Sequence, residues 1–225
     1  MKQNHELSET LDFIAEYATY LLGSGVHTSR VVRNSQRIGA SQGVEIQLMS
    51  FQKSSIVSIH DPRSGESATR AVRIIQRPIS FVRNSDLSAL SWEALDEQLP
   101  LDEIRRRFER LTAKPYIRPG AALLAVGLAN ASFCRLFGGD WIAMAVVFVS
   151  TIVGLAVKQR MQAKGVNHLL IFTLTAFVAS MCASVALRFD CTAHIALATS
   201  PLFLVPGVPL INGAIDIVEG YILNG

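Results

Sequence analysis

The stretch FLVPGVPLINGAID, residues 203–216, is an apolar run whose continuity is broken by Pro206, Gly207 and Pro209. A proline inside a helix removes a hydrogen bond and clashes with the preceding turn, at a cost of about 3 kcal/mol or more. At bilayer depth no water takes up the backbone groups such a break releases. The break is therefore a place where something has been built around the chain, and interrupted spans offer carbonyls, amides and dipole ends to small solutes and coupling ions. Asn212 follows with both a donor and an acceptor, and Asp216 with an ionisable carboxylate, which is expensive inside a membrane. Pro206, Gly207, Pro209, Asn212 and Asp216 are accordingly the candidate substrate- or ion-binding set. Two readings of their depth stand open. Either the segment leaves the membrane near Leu210 and Asn212, Asp216 and Glu219 are solvated, or the helix resumes and Asp216 and Glu219 fall three apart on one face, placed for proton coupling.

Upstream of the break the chain is apolar for a long way. Residues 121–137 and 141–157 give runs of 17, residues 169–187 a run of 19, and a fourth run starts near Ala193 and reaches Pro206. A spanning helix needs roughly 17–25 such residues. Residues 1–119 carry 16 of the 21 Lys and Arg and 14 of the 18 Asp and Glu, so a boundary is expected near residues 115–119. The expected organisation is an α/β domain over residues 1–119, mixed helices plus a small antiparallel sheet, followed over 120–225 by an all-α transmembrane bundle of about four spans, incomplete at its C-terminus.

Lys and Arg orient the spans. Arg105, Arg106, Arg107, Arg110, Lys114 and Arg118 crowd the entry to the first, and Lys158, Arg160 and Lys164 fill the turn between the second and third. Both belong on the cytoplasmic side. The other two turns hold only Arg135 and Arg188. The N-terminus has no apolar core of signal-peptide type, so residues 1–119 are expected to be cytoplasmic. In the third run Ala176, Ser180 and Ser184, and Ala179 and Ala183, recur four apart, a pattern that lets helices approach closely. Cys134, Cys182 and Cys191 have neither disulfide nor zinc spacing and read as packing residues.

In the charged half, Leu7, Leu11, Ile14, Ala18 and Leu21 keep a helical period up to Gly23-Ser24-Gly25, and a second helix is expected over 27–40, capped by Thr28 or a neighbour. VEIQLMS and SSIVSIH read as a hairpin, closed off by DPRSGE, with TRAVRII as a third strand. Helical spacing returns over 86–99 and 101–111. The basic and acidic residues of this half nearly balance, which argues against a nucleic-acid surface. His60-Asp61 beside Ser54, Ser55 and Ser58 has the residue types of a hydrolytic site but no nucleophile elbow or phosphate loop, and the bland reading is a surface hairpin.

LLGSGVHTSRV, residues 21–31, and PLFLVPGVPLINGAIDIVEGY, residues 201–221, resemble the two signatures of the threonine/serine exporter family. The resemblance extends over almost the whole chain. It implies a bacterial inner-membrane exporter of small metabolites driven by the membrane potential or a proton gradient. With four spans where single-chain members have about ten, the chain looks more like the larger subunit of the split form, associated with dicarboxylates such as succinate. The implied partners are the lipid bilayer, a second small membrane subunit supplying further spans, a small-molecule substrate and, as an open alternative, further copies of the chain. No catalytic residue, metal or cofactor is expected. Two other classes stay open beside the exporter: a membrane-anchored cytoplasmic sensor or scaffold, and a hydrolase in the N-terminal half.

Overall fold

The computed structural model describes residues 2–189 and 191–223. They form two compact units, one of residues 1–115 together with 207–225, the other of residues 116–206.

The first unit begins with α1 (Lys2–Gly23) and α2 (Thr28–Ser41), continues through β1 (Glu45–Ser50), β2 (Ser54–His60) and β3 (Ser67–Arg73), and then α3 (Phe81–Asp96) and α4 (Leu101–Ala113). The strands make one antiparallel sheet in the order β1-β2-β3. Ile46 pairs with Ile59 and Leu48 with Val57, so one face of the hairpin is apolar and turned inward. What it meets is helical. Phe13, Ile14, Tyr17 and Leu21 of α1, Val31 and Ile38 of α2, Leu87 and Leu90 of α3, and Ile104 and Phe108 of α4 are all buried with Val57 and Ile59. Phe108 stands edge-on to Phe13 and Tyr20, with ring centroids 5.6 and 5.5 Å away. Burying each such side chain is worth about 1.5–3 kcal/mol.

The second unit holds the apolar helices α5 (Pro119–Leu136), α6 (Trp141–Ala163) and α7 (His168–Ala183), the last prolonged by a 3₁₀ turn, Ser184–Arg188. Then come the short helix α8 (Ala193–Thr199) and a turn of 3₁₀ helix, Leu202–Leu204. Gly127 lets α5 approach Phe148 and Ile152 of α6, and Gly154 lets α6 approach Ala179 of α7 and Phe203. The small-residue pattern thus resolves to the face of Thr175, Ala179 and Ala183, which is buried. Leu124, Leu128, Phe133, Phe172 and Phe177 stay outward and exposed. Among the described residues three helices are long and apolar enough to cross a membrane, or four if the segments on either side of Val205-Pro206 form one broken span.

The expected fold class is corrected by this arrangement. The described residues are 67% helical, and among them the sheet has only three short strands and no distinct α/β domain precedes the membrane helices. Alternating apolar residues in three runs made the sheet look class-defining, whereas most of the buried side chains come from α1–α4. The last helix among the described residues, α9 (Gly207–Val218), drawn from the apolar C-terminal region, belongs to the same unit as α1–α4.

Candidate functional site

The break lies where the prolines and glycine stand. The 3₁₀ turn ends at Leu204, Val205 is extended, and α9 starts at Gly207. Pro209 falls in the first turn of α9, where a missing N–H costs nothing because that group has no intrahelical acceptor. The helix therefore resumes, and Asn212 and Asp216 follow Pro209 at intervals of three and four, on one face. That face is turned onto the loop between α1 and α2.

The loop is shaped by its glycines. A Cβ on Gly23 would sit 2.1 Å from the Ile75 carbonyl oxygen, and Gly25 has φ +74°. The amide of Arg77 donates to the Gly23 carbonyl at 2.8 Å and fixes residues 75–77 beside it. Asn212 Nδ2 donates to the Gly25 carbonyl at 2.6 Å. One oxygen of Asp216 accepts from the Thr28 amide at 2.8 Å and the other from the Thr28 hydroxyl at 3.0 Å. Thr28 is the first residue of α2, and the preceding His27 makes no side-chain cap. Asp216 is thus the N-terminal cap of α2, a carboxylate set against the positive end of the helix dipole. It is only 5% exposed, so the solvated alternative does not hold for this residue. The N-cap position falls on His27, a neighbour of Thr28 as expected, while the side chain that bonds the first amide is that of Asp216.

His27 and Glu219 complete the cluster. His27 Nδ1 lies 3.0 Å from Ser29 Oγ and 3.7 Å from Glu219 Oε2. One donor atom each from His27, Asp216 and Glu219 falls within 4.8 Å of the others. An imidazole and two carboxylates at that spacing suit a proton or a cation, with Asp216 already engaged by Thr28. Pro209, Asn212, Gly213 and Asp216 line a cavity of about 310 Å³ with Leu22, Gly25, Thr28, Phe51, Ile74 and Arg77. Pro206 and Gly207, both exposed, set the break and do not line it. In the sequence His27 stands out only as the first position of the helix expected over 27–40, since its carboxylate neighbours are supplied from the other end of the chain.

In the second unit the polar residues meet around the end of α8. Asn130 of α5, 3% exposed, donates through Nδ2 to Thr151 Oγ1 at 2.7 Å and lies within 3.1 and 3.2 Å of the Thr199 and Ser200 carbonyls. Those carbonyls belong to a helix end that stops short, so the amide supplies what a further turn would have given. At the opposite margin Asp140 caps α6, accepting from the Ala143 amide at 2.8 Å and the Thr192 amide at 2.7 Å. These two bonds, Ala143 first, hold the Asp140 carboxyl below the usual carboxylate range.

His60 and Asp61 are not assembled as a hydrolytic pair. His60 Nδ1 is 2.9 Å from Ser67 Oγ across the β2–β3 register, and Asp61 accepts from the Arg63 amide and the Ser64 hydroxyl in a local turn.

A family model described as "Putative threonine/serine exporter" matches residues 12–225. The chain is also similar to the "Probable succinate transporter subunit YjjP" of Klebsiella aerogenes, 30% identical over 211 residues that make up 92% of this chain and 81% of that one. The protein of the same name from Escherichia coli strain K12 is 29% identical over 209 residues, with the same two shares. No solved structure matches the chain.

Proposed function

Because the chain belongs to the threonine/serine exporter family, and is a membrane transporter component rather than an enzyme, we propose that it exports a small metabolite across the bacterial inner membrane by secondary active transport. The substrate class is threonine or serine, or a dicarboxylate such as succinate, and the name of the two relatives favours the dicarboxylate. A second small membrane subunit supplies the remaining spans. One observation carries the reading: a buried carboxylate, Asp216, stands on the helix that follows a Pro/Gly break in an apolar segment, beside His27, Glu219 and a cavity. Pro206, Gly207 and Pro209 make the break, and Asn212 and Asp216 present the polar groups.

Two further features support a partner and an orientation. On α9, Leu210, Ile211, Ile217 and Val218 are exposed, an apolar surface suited to a neighbouring span. The Arg-rich approach to α5 and the Lys158, Arg160 and Lys164 group after α6 support an orientation with residues 1–119 on the cytoplasmic side.

The test is efflux. Cells loaded with a threonine-containing peptide or with succinate should retain it longer when this gene and that of its membrane partner are deleted, and unchanged efflux with both substrates would sink the reading. Asp216→Asn keeps the size of the side chain and an acceptor for Thr28 but not the charge. Export by this variant should be slow and lose its dependence on the proton gradient, whereas wild-type rates at every pH would remove Asp216 from the mechanism.

A further inference from the structure

Three arginines recur along α2 at Arg30, Arg33 and Arg37. Arg30 and Arg37 are two turns apart on one side of the helix, about 10 Å along its axis, with Arg33 beside them. Among the described residues no carboxylate pairs with any of the three. On the adjoining α3, Asp86 pairs with Lys114 at 2.8 Å and Glu93 with Arg107 at 2.7 Å, and Glu97 just beyond its end lies 3.8 Å from Arg107.

Arg30 and Arg37 rest instead on a neutral frame. Arg30 Nε donates to Ser88 Oγ at 3.3 Å, Arg37 donates to Asn34 Oδ1 at 2.8 Å, and Asn34 Nδ2 donates to Ser88 Oγ at 3.0 Å. Asn34 is 1% exposed, so the frame is fixed. The Arg37 guanidinium carbon lies over the Trp92 ring, 3.7 Å from its centroid, a cation–π contact that helps hold its position. Burial, and then the neighbouring charge of Arg33, hold the Arg37 pKa below its ordinary value. Like charges anchored together by neutral partners repel, and each guanidinium keeps N–H donors that Ser88 and Asn34 do not use.

We propose that the Arg30, Arg33 and Arg37 face of α2, with Trp92 under Arg37, binds a doubly charged oxyanion through its carboxylate or phosphate oxygens. Oxygen pairs of that kind match the planar guanidinium fork and relieve the repulsion. The inference uses residues the export site does not use and stands or falls apart from it.

Trp92 is one of only two tryptophans, so in a Trp141→Phe background its fluorescence reports on the site. The full chain in a neutral detergent is titrated with succinate, inorganic phosphate and, at equal ionic strength, chloride. A saturable change with succinate or phosphate, absent with chloride and weakened about tenfold or more by Arg30→Gln with Arg37→Gln, is the expected result. Arg33→Gln breaks no hydrogen bond to the frame and should weaken binding several-fold without altering the fold. In lipid nanodiscs, an Arg-dependent change that requires anionic lipid and not added succinate or phosphate would support the site and assign the oxyanion to a headgroup. No saturable change with succinate or phosphate together with none on anionic lipid, an equal change with chloride, or titrations unaltered in the double and Arg33 variants, would overturn the proposal.

Discussion

Asp216 caps a helix that starts 188 residues earlier in the chain, and its two oxygens are both taken by Thr28. A carboxylate so placed has a structural task as well as the proposed one, and the two respond differently to substitution. Asp216→Ala removes both acceptors and leaves the Thr28 amide bare at a helix N-terminus. The expected loss is about 1–3 kcal/mol, since bonds to charged groups and lost caps fall in that range. Asp216→Asn retains an oxygen for the amide and can donate to the Thr28 hydroxyl, so less than half of that loss is expected. Thermal unfolding of the two variants in detergent checks the ranking, and equal destabilisation would mean that charge, not geometry, holds the cap. The sequence showed Asp216 as an ionisable residue after a break, which local composition suffices to reveal. It did not show Thr28 as the partner or His27 as the neighbour, because a contact across 188 residues leaves no local pattern.

Among the elements, α8 depends on two side chains from elsewhere in its unit. Asn130 closes its last carbonyls and Asp140 binds the Thr192 amide just before its start. Asn130→Ala leaves the Thr199 and Ser200 carbonyls without that donor and should cost about 0.6–2 kcal/mol, the span between double-mutant cycles and model peptides for polar contacts between membrane helices. Ser132→Ala is the control, because that exposed hydroxyl bonds only to its own helix at Leu128. Unfolding in mixed detergent should separate the two, and equal midpoints would show that the Asn130 bonds carry no net stability. Asp140 brings in pH. Its folded pKa is depressed, so its contribution is full above the unfolded value near 3.9 and fades as pH falls through the folded value. The difference in melting temperature between the wild type and Asp140→Asn should therefore be constant from pH 7 to about 5 and shrink below about 4. A constant difference down to pH 3 would count against the bonded carboxylate. The spans were legible at this scale because about twenty apolar residues in succession have few other uses. The fold class was misread because β periodicity in three short strands says nothing of what covers them, and helices supply most of that cover.

For the whole molecule, sidedness is the property on which the proposed transport turns, and charge alone argues for it so far. Arg118 and Lys164 flank helices whose far ends lie near Phe137 and Arg188, so four single-cysteine variants sample both sides. With Cys134, Cys182 and Cys191 replaced by alanine, an impermeant maleimide added to intact spheroplasts should label Phe137→Cys and Arg188→Cys. Arg118→Cys and Lys164→Cys should react only in inverted vesicles. Under the proposed orientation, with residues 1–119 cytoplasmic and the Asp216 cluster built within the unit of residues 1–115, Glu219→Cys should react from the same side as Arg118→Cys. Labelling of Glu219→Cys from outside while Arg118→Cys reacts from within would mean that the cluster is reached from the far side. Labelling of both from outside would reverse the orientation and leave the substrate to enter from the opposite face. Protection of Glu219→Cys from both sides, relieved when the partner subunit is absent, would instead put the second subunit over the exposed residues of α9. In that case Asp216 would work in a site that neither protein forms alone.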